Sequence, residues 1–391
     1  MTHPYDRQPD RAFWRRAIGT RTPEDIGDWY VRRFPLDGKR IATAGSCFAQ
    51  HIGRRLKEAG FDYVDLEPAP QMLAPGEAGD WGYGLYSARY GNIYTSRQLL
   101  QLLQRATGQF TPIEDWWDKD GGVVDPFRPT LEPEPFGSVE ELRALRRDHL
   151  ERVAEVFRTA DVLVFTMGLT EAWLSRADGA CFPLCPGTAG GTFDAGRHRL
   201  SNLGTAEVRA DMEAFLTLAR SLNPQLEVIL TVSPVSMMAT ATPQQVSVAT
   251  VYTKSVLRAV AGEIVASHGF VDYFPGYDIV TGPASRGVFY QEGMREVTPE
   301  GVTHVMSVFF DQHRPPNSDA DAADPTGGLT PRMAPPMADI AGGGGRKGPR
   351  AGKAGPGRPP QTVHQPPDEF DEMDVKCDEE LLDSFGKPRR S

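Results

Sequence analysis

The sequence predicts an α/β fold, and three observations carry that prediction. Short apolar runs alternate with stretches of helical periodicity over most of the chain, as a parallel sheet flanked by helices requires. The 391 residues are 40% hydrophobic, enough for one sizeable core or two modest ones. Near His313 Pro, Gly, Ala and Asp take over and periodicity ends, so a folded domain is expected at 1–312 and a low-complexity, disordered tail at 313–391.

Five candidate core strands, 40–44, 61–66, 162–167, 227–232 and 269–274, each run into a turn or polar residues and would make one sheet. Six candidate helices, 50–59, 96–106, 139–159, 206–221, 244–267 and 299–312, have Thr95, Ser138, Thr205 and Thr298 as N-caps. The long gap between the second and third strands, 67–138, is rich in Trp, Tyr, Gly and Pro. It is expected to form a cap or wall over the strand ends, the plainer alternative being irregular surface loops. Its Trp81, Tyr83, Tyr86, Tyr90 and Tyr94 have faces suited to sugar rings, but packing the insertion onto the sheet is their expected first role.

The tail holds a basic Gly/Pro-rich run at 342–358 and an acidic stretch at 368–383. A solvated extension is expected; the functional alternative is a tether for nucleic acid or a protein partner, with a short docking element at 379–385. Residues 1–16 lack an apolar leader core, and no stretch approaches the ~20 apolar residues of a spanning helix, so a cytoplasmic protein without a membrane span is expected. Cys47, Cys181, Cys185 and Cys377 are too scattered for a disulfide framework, and a lone Cys-x-x-x-Cys pair is a weak metal signal. Neither a phosphate loop, a His-Glu-x-x-His pair nor a calcium loop occurs, so no cofactor, metal or core-bound nucleic acid is expected.

The chemistry concentrates at Gly45-Ser46-Cys47-Phe48-Ala49, between the apolar run Ile41-Ala42-Thr43-Ala44 and a helical stretch. Strand, tight turn and helix would place the Ser46 hydroxyl at the mouth of the sheet, beside helix N–H groups that can receive an oxyanion. In an open α/β sheet the ligand crevice lies at the carboxyl ends of the strands. The other strands deliver Gly168-Leu169-Thr170-Glu171-Ala172-Trp173, Ser233-Pro234-Val235 and Phe274-Pro275-Gly276-Tyr277-Asp278 to that rim. Cys47 is a rival nucleophile at a helix start but is expected to point inward as a buried thiol. Glu171 or Asp278 could orient a base and Lys254 could bind an anionic substrate, with solvated ion pairing the expected alternative for all three.

Gly45 to Ala49 and the ordered blocks Arg89-Tyr90-Gly91-Asn92-Ile93-Tyr94-Thr95, Phe165-Thr166-Met167-Gly168-Leu169-Thr170-Glu171, Thr231-Val232-Ser233-Pro234-Val235 and Tyr273-Phe274-Pro275 resemble the GSCFA family over roughly 39–310. That family in turn resembles the SGNH hydrolases, three-layer α/β/α esterases and acyl-transfer enzymes on a flavodoxin-like sheet. The resemblance implies Ser46 as nucleophile, with its own N–H as one oxyanion donor and Gly91 or Asn92 as a second. Gly168 matches the glycine of the third SGNH block. The asparagine expected two residues later is Thr170, followed by Glu171, and Asn92 could replace that donor.

The SGNH Asp-x-x-His-Pro element is replaced by Arg295-Glu296-Val297-Thr298-Pro299, so the usual dyad is absent, although a serine hydroxyl needs a base to take its proton. His198, which resembles a histidine of the wider GSCFA pattern, is the expected base. His51, on the helix that follows Ser46, and His304, about 240° round the last helix from Thr298, stand behind it. The function implied is a serine ester hydrolase or O-acyltransferase acting on a small-molecule or glycan ester, such as an O-acetylated carbohydrate or polysaccharide precursor. The alternative is a non-catalytic carbohydrate-binding or scaffold protein on a degenerate SGNH fold.

Overall fold

The computed structural model describes residues 3–74, 76–314 and 375–386. In chain order the elements are β1 (Ile41–Gly45), α1 (Phe48–Glu58), α2 (Ser96–Ala106), the hairpin β2 (Trp117–Lys119) and β3 (Gly122–Val124), α3 (Val139–Thr159), β4 (Val162–Met167), β5 (Glu171–Ser175), β6 (Cys181–Phe182), β7 (His198–Asn202), α4 (Thr205–Leu222), β8 (Glu227–Val232), α5 (Val246–Ser267), β9 (Val271–Tyr273), α6 (Gly276–Thr281) and α7 (Pro299–Gln312). Strands β1, β4, β8 and β9 form a parallel sheet in the order β1-β4-β8-β9.

The period of two along each strand divides its side chains between two cores. Ala42, Ala44, Leu163, Phe165, Val228 and Leu230 face a core shared with α2, α3, α4 and α5. Ile41, Val162, Val164 and Ile229 face a second core with α1, α6, α7 and the arm carrying Tyr30 and Phe34. Because both faces are covered, the strands read as continuous apolar runs.

The expected second strand, 61–66, reduces to a single parallel bridge from Tyr63 to Ile41. Ser87 takes the next place: its hydroxyl accepts from Thr43 N at 2.9 Å, and its own N–H points to Thr43 O at 3.5 Å. The edge groups of β1 are thus satisfied by Asp62 and Val64 at Ile41 and by the insertion at Thr43 and Gly45, rather than by a full fifth strand. Thr95, Ser138 and Thr298 cap their helices, whereas α4 starts one residue early, with Gly204 N donating to Glu207 Oε2 at 3.0 Å and Thr205 inside the helix.

The insertion contains α2 and the β2–β3 hairpin, and Tyr86, Tyr90 and Tyr94 are buried. It is fastened to α3 by an ionic cluster, in which Asp125 Oδ2 accepts from Arg146 Nε at 2.9 Å and Arg128 Nε at 3.2 Å. A second, antiparallel sheet, β6-β5-β7, was not expected. Its first turn carries the Asp-Gly signal of a tight hairpin: Gly179 sits at φ 76°, and Asp178 Oδ1 accepts from Ala180 N.

No helix among the described residues is long and apolar enough to cross a membrane. The basic run 342–358 lies outside the described residues, as does part of the acidic stretch. Residues 375–386, expected as part of a disordered tail, instead pack on the domain.

Candidate active site

Strand β1 ends at Gly45, whose φ of 141° is open to glycine; a Cβ there would stand 2.4 Å from Thr166 O. The parallel register pairs Gly45 with Thr166 and continues one residue further, so Ser46 N donates to Thr166 O at 3.1 Å. The Ser46 N–H is therefore not the oxyanion donor expected of it. Its hydroxyl is buried at 3% exposure and has no hydrogen-bond partner among the described residues. A buried hydroxyl left unpaired is costly, and at the mouth of a sheet it is available to a ligand.

On the neighbouring strand end, Gly168 closes on Ser46. A Cβ at Gly168 would lie 2.9 Å from Ser46 Cβ, 3.1 Å from Tyr94 O and 3.4 Å from Ser46 Oγ. The carbonyl of Gly168 accepts from Lys254 Nζ at 2.9 Å. Lys254 is 1% exposed, on the stripe of α5 that continues through Leu257, Ala261 and Ile264. Burial pulls its pKa down to about 8, partly opposed by Glu379. The solvated lysine expected from the sequence is thus a buried amine bonded to the carbonyl of the glycine that packs on Ser46.

The insertion supplies the third wall. Gly91, at φ 68°, makes the turn after which Ile93 N donates to Gly45 O at 2.8 Å. Asn92 is delivered beside the β1–α1 turn, where Tyr86 donates to its Oδ1 at 2.5 Å and leaves Nδ2 facing the cleft. The Tyr86 hydroxyl also lies 3.3 Å from Ser46 O. Arg295, at the position of the missing aspartate, lines the same cleft, its Nε buried and without a hydrogen-bond partner among the described residues. Cys47 is a buried thiol whose pKa is raised by its hydrogen bond to Cys377 and by burial, so it is no activated nucleophile.

The GSCFA family's model matches residues 40–309, a span that runs from β1 into α7 and takes in every wall of this cleft. The chain belongs to the GSCFA family. No curated protein matches it. Among solved structures, that of an acetyl esterase mutant with an acetate ion is similar at a TM-score of 0.29 and 10% identity, covering 68% of this chain and 92% of that one.

Other residues expected at the site of this GSCFA domain lie elsewhere. His198, the expected base, is buried on β7, where Nε2 meets Glu114 Oε2 at 3.1 Å and Nδ1 accepts from Asp194 N at 3.2 Å. Both ring nitrogens are engaged. His198 pairs with Ser175, four residues and about 13 Å along β5 from the rim residue Glu171. His51 lies edge-on to Phe48, and burial with Arg54 and Arg55 lowers its pKa to about 4. His304 stacks on Phe289 at 4.9 Å, away from the Ser46 turn, with its pKa lowered by burial.

Thr170 spends its hydroxyl on Asn202 Oδ1 at 2.6 Å and lies 2.8 Å from Thr253 Oγ1, so it is no oxyanion donor. Glu171 accepts from Thr240 and from Ala241 N, and Asp278 from Arg258 and Tyr273. Both carboxylates hold loops and helices together rather than orient a base. Gln50 is a cleft residue that motif reading passed over, while Tyr86 was read for its ring face and Arg295 only as a departure from the dyad. Lys254 carried a legible signal, a lysine on an apolar helical stripe.

Proposed function

We propose that this GSCFA-family protein is a serine ester hydrolase or O-acyltransferase in which Ser46 is the nucleophile and Lys254 the base. The carrying observation is the juxtaposition at Gly168: an unpartnered, buried Ser46 hydroxyl on one side and the Lys254 amine on its carbonyl. In the neutral form Lys254 takes the Ser46 proton as Oγ bonds to the acyl carbon. Asn92 Nδ2 and the N–H groups at the start of α1 receive the oxyanion. Collapse breaks the ester C–O bond, and the departing alkoxide takes the proton from Lys254. Water, for hydrolysis, or an acceptor hydroxyl, for transfer, then attacks the acyl-serine and releases Ser46.

The close walls of Gly168 and Tyr94 favour a short acyl group such as acetyl. A carbohydrate or polysaccharide precursor as the alcohol is favoured by the aromatic Trp81, half-buried at the insertion; the face of Tyr83 is taken by the Arg89 guanidinium at 3.9 Å. A second reading, a glycan-binding or scaffold protein on a degenerate fold, is favoured by one observation: none of His51, His198 and His304 serves Ser46.

Labelling by a fluorophosphonate probe separates the two. Wild type is expected to label at Ser46, with labelling abolished in Ser46→Ala and reduced at least 100-fold in Lys254→Met, within the range that loss of a general base produces. A folded wild-type protein that stays unlabelled, including with its C-terminal segment displaced, would leave the binding reading in place.

A further inference from the structure

The last described segment of the chain, residues 375–386, lies in this same cleft, and Asp378–Gly386 is a 3-10 helix. Gln50 holds the backbone of Lys376 in both directions: Nε2 donates to Lys376 O at 2.8 Å, and Lys376 N donates to Oε1 at 3.1 Å. Asn92 Nδ2 donates to Lys376 O at 3.1 Å and to Asp378 Oδ2 at 2.9 Å. Thr130 donates to the other carboxylate oxygen of Asp378, whose N–H donates to the Tyr94 hydroxyl at 3.1 Å. Arg295 Nη2 donates to Cys377 Sγ at 3.4 Å, and Cys377 lies beside Cys47, the two thiols shifting each other's pKa in opposite directions. Glu379, 6% exposed, lies within the fields of Arg295 and Lys254.

These contacts describe a peptide site rather than a loose covering. The reciprocal amide pair at Gln50 fixes the backbone, one acidic side chain is bound by two neutral donors, and the next lies near two cations. The acidic side chains of the segment compete with the chemistry proposed above. The Asp378 carboxylate takes the Asn92 donor that an oxyanion needs, Glu379 lies in the field of the base, and Cys377 covers Cys47 next to Ser46.

Resting on the reading of Ser46 as nucleophile, we infer that residues 375–386 are an autoinhibitory strap, an acidic peptide ligand carried by the chain itself, which must leave the cleft before an ester reaches the serine. Full-length wild type, Asp378→Ala and Thr130→Val test it; the two variants remove the same anchor from opposite sides, and Thr130→Val keeps the side-chain shape. Amide hydrogen exchange across 375–386 reports docking. Alkylation of Cys47 by N-ethylmaleimide, read by peptide mass, reports opening of the cleft without calling on Ser46.

Protected strap amides are expected in wild type, with exchange and Cys47 alkylation at least tenfold faster in both variants and Ser46 labelling rising in parallel. Wild-type strap amides exchanging like a free peptide would overturn the inference. So would a strap that stays protected in both variants, or one that is released while Cys47 alkylation remains slow. Released strap, opened Cys47 and no labelling at Ser46 would reject the serine chemistry and leave the peptide site standing.

Discussion

At the scale of single residues, the site rests on two glycines and a lysine. Gly45→Ala places a methyl against the Thr166 carbonyl at a φ that L residues avoid, and should cost about 3 kcal/mol or more in a denaturation experiment. Lys254 sets a pH dependence. Its pKa is lowered to about 8, so below that value most of the amine is protonated and unable to accept the serine proton. The rate of Ser46 labelling should climb about tenfold per pH unit while the amine is protonated and level off once it is neutral, at a pH that shifts when the strap's Glu379, which raises the pKa of the amine, leaves the cleft; a profile flat at every pH at which the protein stays folded would exclude Lys254 as the base. Ser46 and Asn92 were legible because the strand-turn-helix pattern and a block motif mark them in the sequence. The position of Lys254 on an apolar stripe was legible but its role as base was not, because motif reading looks for an imidazole, whereas the fold supplies an amine whose basicity is set by burial, a property of three-dimensional packing.

At the scale of elements, most of the parallel sheet and the six long helices were legible, since apolar runs and capping residues are local signals. Strand 61–66 was not, because Ser87, distant in sequence, takes the ladder positions it would have used. The small sheet β6-β5-β7 went unread despite the Asp178-Gly179 turn, since β5 and β7 are short and neither shows the polar–apolar alternation that marks a strand, β7 having Leu200 as its one apolar residue. His198 shows the consequence: a histidine expected at the site from family resemblance is fixed on β7, paired with Ser175 away from the rim. His198→Gln removes the partner of Glu114 on a buried strand, so it should lower thermal stability while leaving the Ser46 labelling rate within about twofold of wild type in protein that remains folded. Thr95→Ala removes the capping box of α2, where Gln98 N donates to Thr95 Oγ1 at 3.2 Å, and should cost about 1 kcal/mol by chemical denaturation.

At the scale of the whole molecule, the insertion and the strap enclose a cleft that the sheet alone would leave open. The insertion is held to α3 by Asp125, whose carboxyl is kept well below the usual carboxylate range by Arg146, Arg128 and Arg105 against the opposing effect of burial. Its contribution is full above the unfolded value of about 3.9 and fades as pH falls towards the depressed folded value. Asp125→Ala should therefore lose about 3–5 kcal/mol at neutral pH, with a smaller gap from wild type in strong acid, as a pH series of urea unfolding curves would measure. The strap follows the domain along the chain, and this order gives the closed state a time of arrival. After His313, the residue that follows α7, a ribosome adds 61 further residues before Val375, roughly 3–12 s at ~5–20 residues per second. A nascent domain that folds as it emerges therefore passes through an interval with its serine uncovered, and every newly made molecule begins in the open form.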